Sequence, residues 1–190
     1  TVIGNANPDF YGGLNNQFKY KGWDFNFFFT FSYGGEVLNA TKLTNTKTAT
    51  TNYSVLNIAN SSNRWMTVNS EGQLITDPEE MAAINAGRTV ACIYDMEMGD
   101  KYIHSWAVED ASYLRLSNLS LGYTFDRKKL RKFNVQSLRL YFTGSNLFVW
   151  TPYSGFDPEV STKGNSLTPG VEYSAYPRNS SYVFRHNINF

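Results

Sequence analysis

SYVFRHNINF, residues 181–190, decides how this chain is read. Tyr182, Phe184, His186, Ile188 and Phe190 fall on one face of an extended strand, and Val183, Arg185, Asn187 and Asn189 fall on the other. Side chains alternate across a strand with a period of two, so this stretch presents one largely apolar face and one mixed, mostly polar face. A strand with lipid on one side and water on the other needs that division. The pattern predicts the closing strand of a transmembrane barrel. Tyr182, Phe184, Ile188 and the terminal Phe190 are expected to form its signal to the barrel assembly machinery.

The same alternation recurs upstream. WDFNFFFTFSY, residues 23–33, places Trp23, Phe25, Phe27, Phe29, Phe31 and Tyr33 on one face and Asp24, Asn26, Phe28, Thr30 and Ser32 on the other. A helix would scatter those aromatics around its circumference. Trp and Tyr lie at the ends and Phe in the middle, the order expected of a strand that crosses lipid, because amphipathic rings prefer the interfaces. The six odd-numbered residues are therefore expected to face lipid. A strand over 13–20 precedes it, with Leu14, Phe18 and Tyr20 opposite Asn15, Gln17 and Lys19, and Lys21-Gly22 forms a two-residue turn.

Two further strands are expected. The first covers 113–125, alternating through Leu119, Leu121, Tyr123 and Phe125, with Leu114 and Leu116 in the opposite phase. Either a bulge lies near Ser117-Asn118 or the upper part faces a loop above the membrane. The second covers 137–150, with Leu138, Leu140, Phe142, Phe148 and Trp150 toward lipid and Arg139, Tyr141, Thr143 and Ser145 inward; Gly144 and Asn146 interrupt its apolar face. Between these two strands runs a basic connection, DRKKLRKFN, residues 126–134.

Barrel turns are short on the periplasmic side and long outside. Lys21-Gly22 and 126–134 are thus expected in the periplasm, with the C-terminus. The polar stretch 34–111 and the Gly-, Pro- and Ser-rich stretch 151–180 are expected as extracellular loops. Within the first, Asp77-Pro78-Glu79-Glu80 opens a short helix that Gly87 could close. The fold class is all-β: five strands of a large antiparallel transmembrane barrel. Five strands cannot close, since single-chain barrels start at about eight and an open edge in lipid costs several kcal/mol per unpaired group. The chain begins at Thr1 without an export signal, so the whole of 1–190 is expected to be the end of a longer polypeptide.

Composition narrows the function. Of 190 residues, 16% are aromatic, and the formal net charge of +1 gives no basic excess of the kind a nucleic-acid binder carries. Mean hydropathy is −0.39, and no apolar run approaches the ~18 residues of a spanning helix. Cys92 is the sole cysteine, which rules out an intrachain disulfide and suggests no thiolate metal site. His104 and His186 lack zinc-ligand spacing. No catalytic constellation, metal site or cofactor motif is present, and the expectation is a non-enzyme.

Four blocks carry a family resemblance: GNANPDFYGGLNNQFKYKGWDFNFFFTFSYGGEVLN (4–39), VEDASYLRLSNLSLGYTF (108–125), GSNLFVWTPYSGFDPEVS (144–161) and TPGVEYSAYPRNSSYVFRHNINF (168–190). In this order and spacing they resemble the SusC/RagA-like TonB-dependent outer-membrane transporters of Bacteroidetes. The resemblance implies a barrel of about 22 strands, of which these are the last five, with the plug and earlier strands upstream. It implies import of oligosaccharides or oligopeptides, a SusD-like surface lipoprotein as lid, energy from TonB–ExbB–ExbD through the missing N-terminal part, and dimers of transporter–lid pairs. Asp24, Asn26, Arg139, Tyr141 and Arg185 would face the lumen and the plug. Trp65 and Trp106 are candidate substrate contacts, with packing within the loop or against the lid as the competing role. The last strand departs from the family in ending FRHNINF, which puts His186 outward near the membrane rim. The competing readings are a barrel that anchors or adheres without energised transport, a barrel shared among several chains, and a soluble lectin-like sandwich.

Overall fold

A computed structural model of the protein describes residues 2–46, 54–90, 103, 105–159 and 169–190. Cys92 and His104 lie outside them. Five long strands form one antiparallel sheet: β1 (Phe10–Tyr20), β2 (Trp23–Tyr33), β5 (Tyr113–Thr124), β6 (Ser137–Trp150) and β8 (Ser181–Asn189), in that spatial order. Three short strands, β3 (Glu36–Asn39), β4 (Val108–Asp110) and β7 (Val171–Glu172), make a second sheet in the order β4-β3-β7. The helices are short: α1 (Ala40–Thr44), α2 (Pro78–Ile84) and α3 (Arg127–Leu130). No helix among the described residues is long and apolar enough to cross a membrane.

The register gathers the apolar residues of the large sheet onto one face. Residues directly opposite in an antiparallel pair share a face. Trp23 pairs with Tyr123, Phe25 with Leu121 and Phe27 with Leu119; Leu121 then pairs with Phe142, and Phe142 with Phe184. The rings meet across strands: Trp23 and Tyr123 lie 4.6 Å apart, Phe142 and Phe184 4.8 Å, Phe10 and Tyr33 5.1 Å. The other face carries Asn15, Gln17, Asp24, Asn26, Ser120, Arg139, Tyr141 and Arg185. Phe28 is an apolar exception there, its ring covering Gly13, where an added Cβ would lie 2.8 Å from it.

The phase change in β5 is a bulge. Phe28 and Phe29 of β2 pair with Asn118 and Leu116, leaving Ser117 as the extra residue. One additional residue restores the phase, so Leu114 and Leu116 join Leu119 and Leu121 on the apolar face. Strand β6 compensates at the same level. Asn146 takes a left-handed conformation (φ 53°) and turns toward Arg115, while Leu147 packs over Gly144. Asn146 therefore does not interrupt the apolar face as the alternation suggested.

Lys21 and Gly22 both have positive φ, 44° and 88°, which makes the β1–β2 turn type I′, the form whose twist matches a hairpin. Strand β1 starts at Phe10, earlier than expected, because its pairing with β2 continues to Tyr33. Helix α2 starts at its Asp77 cap as expected but ends at Ile84. Asn85 closes it, spending its side-chain amide on the Met66 and Met81 carbonyls, and the left-handed Gly87 follows two residues later.

The stretch 34–111 is less irregular than expected. Strand β3 pairs antiparallel with β4 (Val37 opposite Glu109) and parallel with β7 (Asn39 opposite Glu172), which ties the bases of both long connections together. Several of the most buried side chains among the described residues lie in this rim: Ala107, Glu172, Val37 and Tyr153 are 0%, 1%, 3% and 5% exposed. Trp23, Phe18, Tyr20, Phe148 and Phe184 of the large sheet remain exposed.

Candidate functional site

Two groups of polar side chains are held in defined geometry. On the polar face of the large sheet, Arg139 donates to Asp24 at 2.7 Å, reaching across β5. Gly122 makes room for the pair, since an added Cβ would meet the Asp24 carboxylate at 2.6 Å. The Arg139 guanidinium lies 5.6 Å from the Tyr141 ring centre, and Tyr141 pairs with Arg185 on β8. Four of the five candidate lumen residues thus form one connected patch; Asn26, opposite Ser120, lies one residue pair further along the same face.

The second group sits at the rim, where β5, β6 and the two long connections meet. Arg115, 3% exposed, donates to Asp157 at 2.6 Å and to Asn146, and its Nε lies 3.3 Å from Glu159 without hydrogen-bond geometry. Arg178 completes the group, 2.9 Å from Glu159. A buried charge is tolerated only when paired and hydrogen-bonded, and Arg115 and Asp157 satisfy that for each other.

Beside it, Lys42 lies 4.3 Å over the Trp106 ring, donates to the Trp106 carbonyl at 3.0 Å, and pairs with Glu109 at 2.9 Å. Glu109 also accepts from the Ser154 backbone N–H and hydroxyl, each at 2.9 Å. Burial works to raise the Glu109 pKa, but the bonds from Lys42 and Ser154 outweigh it and hold the carboxyl below its ordinary range. Glu172 accepts from Thr41 and the Ala175 N–H at 3.0 and 2.9 Å and from the Tyr153 hydroxyl at 3.5 Å. Burial, then the charges of Glu172 and Glu109, push the Tyr153 phenol well above its usual range.

A cavity of about 300 Å³ opens here, lined by Asn39, Lys42, Asn57, Ser154, Phe156 and Glu172 among others. It offers amide, hydroxyl and ammonium groups beside an exposed aromatic ring, which suits hydrogen-bonded binding. Neither candidate tryptophan lines it. Trp106 is engaged by Lys42; Trp65 is 41% exposed, its backbone N–H bonded to the Val90 carbonyl. Arg115, Asp157, Glu159 and Glu172 escaped the sequence reading of the site. The one available signal was three acids within DPEVSTKGNSLTPGVE (157–172), too spread out to name a partner. Among the described residues no group of three or more His, Cys, Asp or Glu could hold a metal ion.

No family model matches the chain. Over its whole length it is 34% identical to the TonB-dependent receptor P3 of Formosa agariphila. Over 47% of its length it is 30% identical to the TonB-dependent receptor SusC of Bacteroides thetaiotaomicron. The chain is a SusC/RagA-like barrel segment. This SusC/RagA-like segment covers 17% of the length of P3 and 8% of SusC. Its fold is that of a wall section in solved structures of the RagAB peptide importer. In the closed-closed state the match has a TM-score of 0.67 at 20% identity, covering 97% of this chain and 17% of that one. The open-open state gives 0.65 at 22% identity, with the same coverage.

Proposed function

We propose that this segment supplies the last five strands of a TonB-dependent importer in a bacterial outer membrane. The single observation behind this is the match to TonB-dependent receptors along the entire chain. One largely apolar sheet face, interrupted at Asn16, Gly144 and His186, agrees with it. On this reading Trp23, Phe25, Phe27, Phe29, Phe31 and Tyr33 face lipid, and Asp24, Asn26, Arg139, Tyr141 and Arg185 face the lumen and the plug. Tyr182, Phe184, Ile188 and Phe190 serve the barrel assembly machinery. The connections within 34–111 and 151–180 stand outside the cell, and the C-terminus lies in the periplasm.

The cargo is an oligosaccharide or oligopeptide, gated by a SusD-like lipoprotein and driven by TonB–ExbB–ExbD. The relatives are named as receptors and importers, which supports a binding and transport role without catalysis. The polar rim cavity and Trp106 beside it are suited to touch cargo or lid. The test is the denatured mass of the native polypeptide extracted from outer membranes, with identification of what co-purifies, followed by growth of a deletion strain on oligosaccharides or peptides. A full-length importer with a lipoprotein partner and a growth defect on one nutrient class is expected. A partner-free band of 21.6 kDa and unimpaired growth would overturn it.

A further inference from the structure

The end of the sheet opposite the rim carries an excess of unneutralised positive charge. The β5–β6 connection holds Arg127, Lys128, Lys129, Arg131 and Lys132, all exposed, and none of them forms an ion pair among the described residues. The two acids at this end are committed elsewhere: Asp126 caps α3 through the Lys128 N–H at 2.9 Å, and Asp24 is paired with Arg139. The adjoining β1–β2 turn adds Lys19 and Lys21, and the two turns are joined by the Thr124 N–H to Gly22 carbonyl bond of 2.8 Å. By contrast, the acids Glu36, Glu109, Asp110, Asp157, Glu159 and Glu172 lie in the rim elements at the other end.

The connection is built as a firm platform. Leu130 is buried, a 3₁₀ turn follows over Arg131–Phe133, Asn134 closes it in the left-handed conformation, and the Gln136 N–H bonds the Asn189 carbonyl at 2.8 Å. Set within the cations, Phe133 is 74% exposed. The aromatic edge of the apolar face begins at Phe125, the residue before this connection. Phe125 packs on Tyr123 at 4.8 Å, Tyr123 on Trp23 at 4.6 Å, and Tyr20 and Trp23 are exposed. Cations flanking an exposed ring in sequence, on a connection that follows directly from this aromatic edge, form the arrangement that anionic lipid surfaces attract.

We propose that residues 127–133, with Lys19 and Lys21, form a binding platform for anionic phospholipid headgroups of the periplasmic leaflet, with Phe133 reaching the acyl boundary. The proposal rests on the membrane topology given above. Phosphate oxygens would accept from Arg127 and Arg131 as forks and from the lysines as point charges.

The test uses the complete transporter purified into bilayer discs of phosphatidylcholine with a minor share of phosphatidylglycerol. Retained lipids are counted by native mass spectrometry. Wild type is expected to retain phosphatidylglycerol over phosphatidylcholine by on the order of tenfold. The combined variant R127Q/K128Q/K129Q/R131Q/K132Q should lose most of that preference, and Phe133→Ser should lower retention of both lipids. Equal preference in wild type and the combined variant overturns the platform. A Lys128→Cys variant of the complete transporter, in a background with Cys92 and every other cysteine replaced by serine, is probed with an impermeant thiol reagent and separates the two readings. No labelling in intact cells and labelling after permeabilisation is expected; labelling in intact cells would overturn the topology and the platform with it.

Discussion

Phe27 sits in the middle of the aromatic face, flanked by Phe25 and Phe29 at 5.5 and 5.6 Å. Its neighbour Asn26 points to the opposite side of the same strand. Phe27→Arg should destabilise the folded barrel by about 2–4 kcal/mol, the cost of a cation at the bilayer midplane, while Asn26→Lys should be close to neutral. Folding titrations into lipid vesicles measure both, and equal tolerance would defeat the assigned phase. At the rim, Arg115→Gln leaves the buried Asp157 with only the half-exposed Arg178, 4.0 Å away, as a counter-charge. The expected loss is about 3–5 kcal/mol, as when one member of a buried pair is removed. It should be read as faster proteolysis between 151 and 180, with strand content preserved. Replacing Arg115 and Asp157 together by apolar residues should recover much of the loss, because the desolvation penalty then disappears on both sides.

The strands were readable because each carries its instruction locally. Period-2 alternation in WDFNFFFTFSY and SYVFRHNINF needs no partner to be visible, and their ends came out within a residue or two. The small sheet was not readable for the opposite reason. Strands of four, three and two residues are too short to show a period, and their pairing is fixed by Glu36 meeting Asp110 and Asn39 meeting Glu172, far apart in the chain. The bulge at Ser117 stood between two readings until the register of β2 settled it. The candidate site was half legible: alternation gave the polar patch of Asp24 and Arg139, but nothing in the sequence announces that Glu109 will meet Lys42. That pair gives the element a pH response. The folded Glu109 carboxyl has a lowered pKa, so on acidification the unfolded chain takes up its proton first. The stabilisation is complete above the ordinary carboxylate pKa of about 4.3 and is lost as pH falls through the lower folded value. Proteolytic release near β3 and β4 should accelerate across that window in wild type and be flat there in Glu109→Gln; a flat wild-type profile would remove Glu109 from the account.

For the whole molecule, the sheet order leaves the outer edges of β1 and β8 without partners among the described residues. Unpaired backbone is intolerable in hydrocarbon, so this wall needs further strands on both sides. The 190 residues expressed alone should aggregate and migrate identically on gels with or without heating. The complete polypeptide should run as a compact, heat-modifiable band. A heat-modifiable band from the segment alone would mean that copies of it close a barrel by themselves, and the import assignment would need rebuilding.

The clasp between Glu36 and Asp110 also bears on inheritance. Strand β2 leads to one side of that clasp and β5 leaves from the other, so the residues between are an enclosed bubble whose neck is fixed. Chain-closure entropy grows only logarithmically, by about 0.6 kcal/mol per doubling of loop length. A lineage could lengthen, shorten or exchange the bubble's contents by recombination while the neck keeps every wall residue in register. On the proposed topology, descendants of one wall diverge in what they meet outside the cell faster than in what they present to lipid.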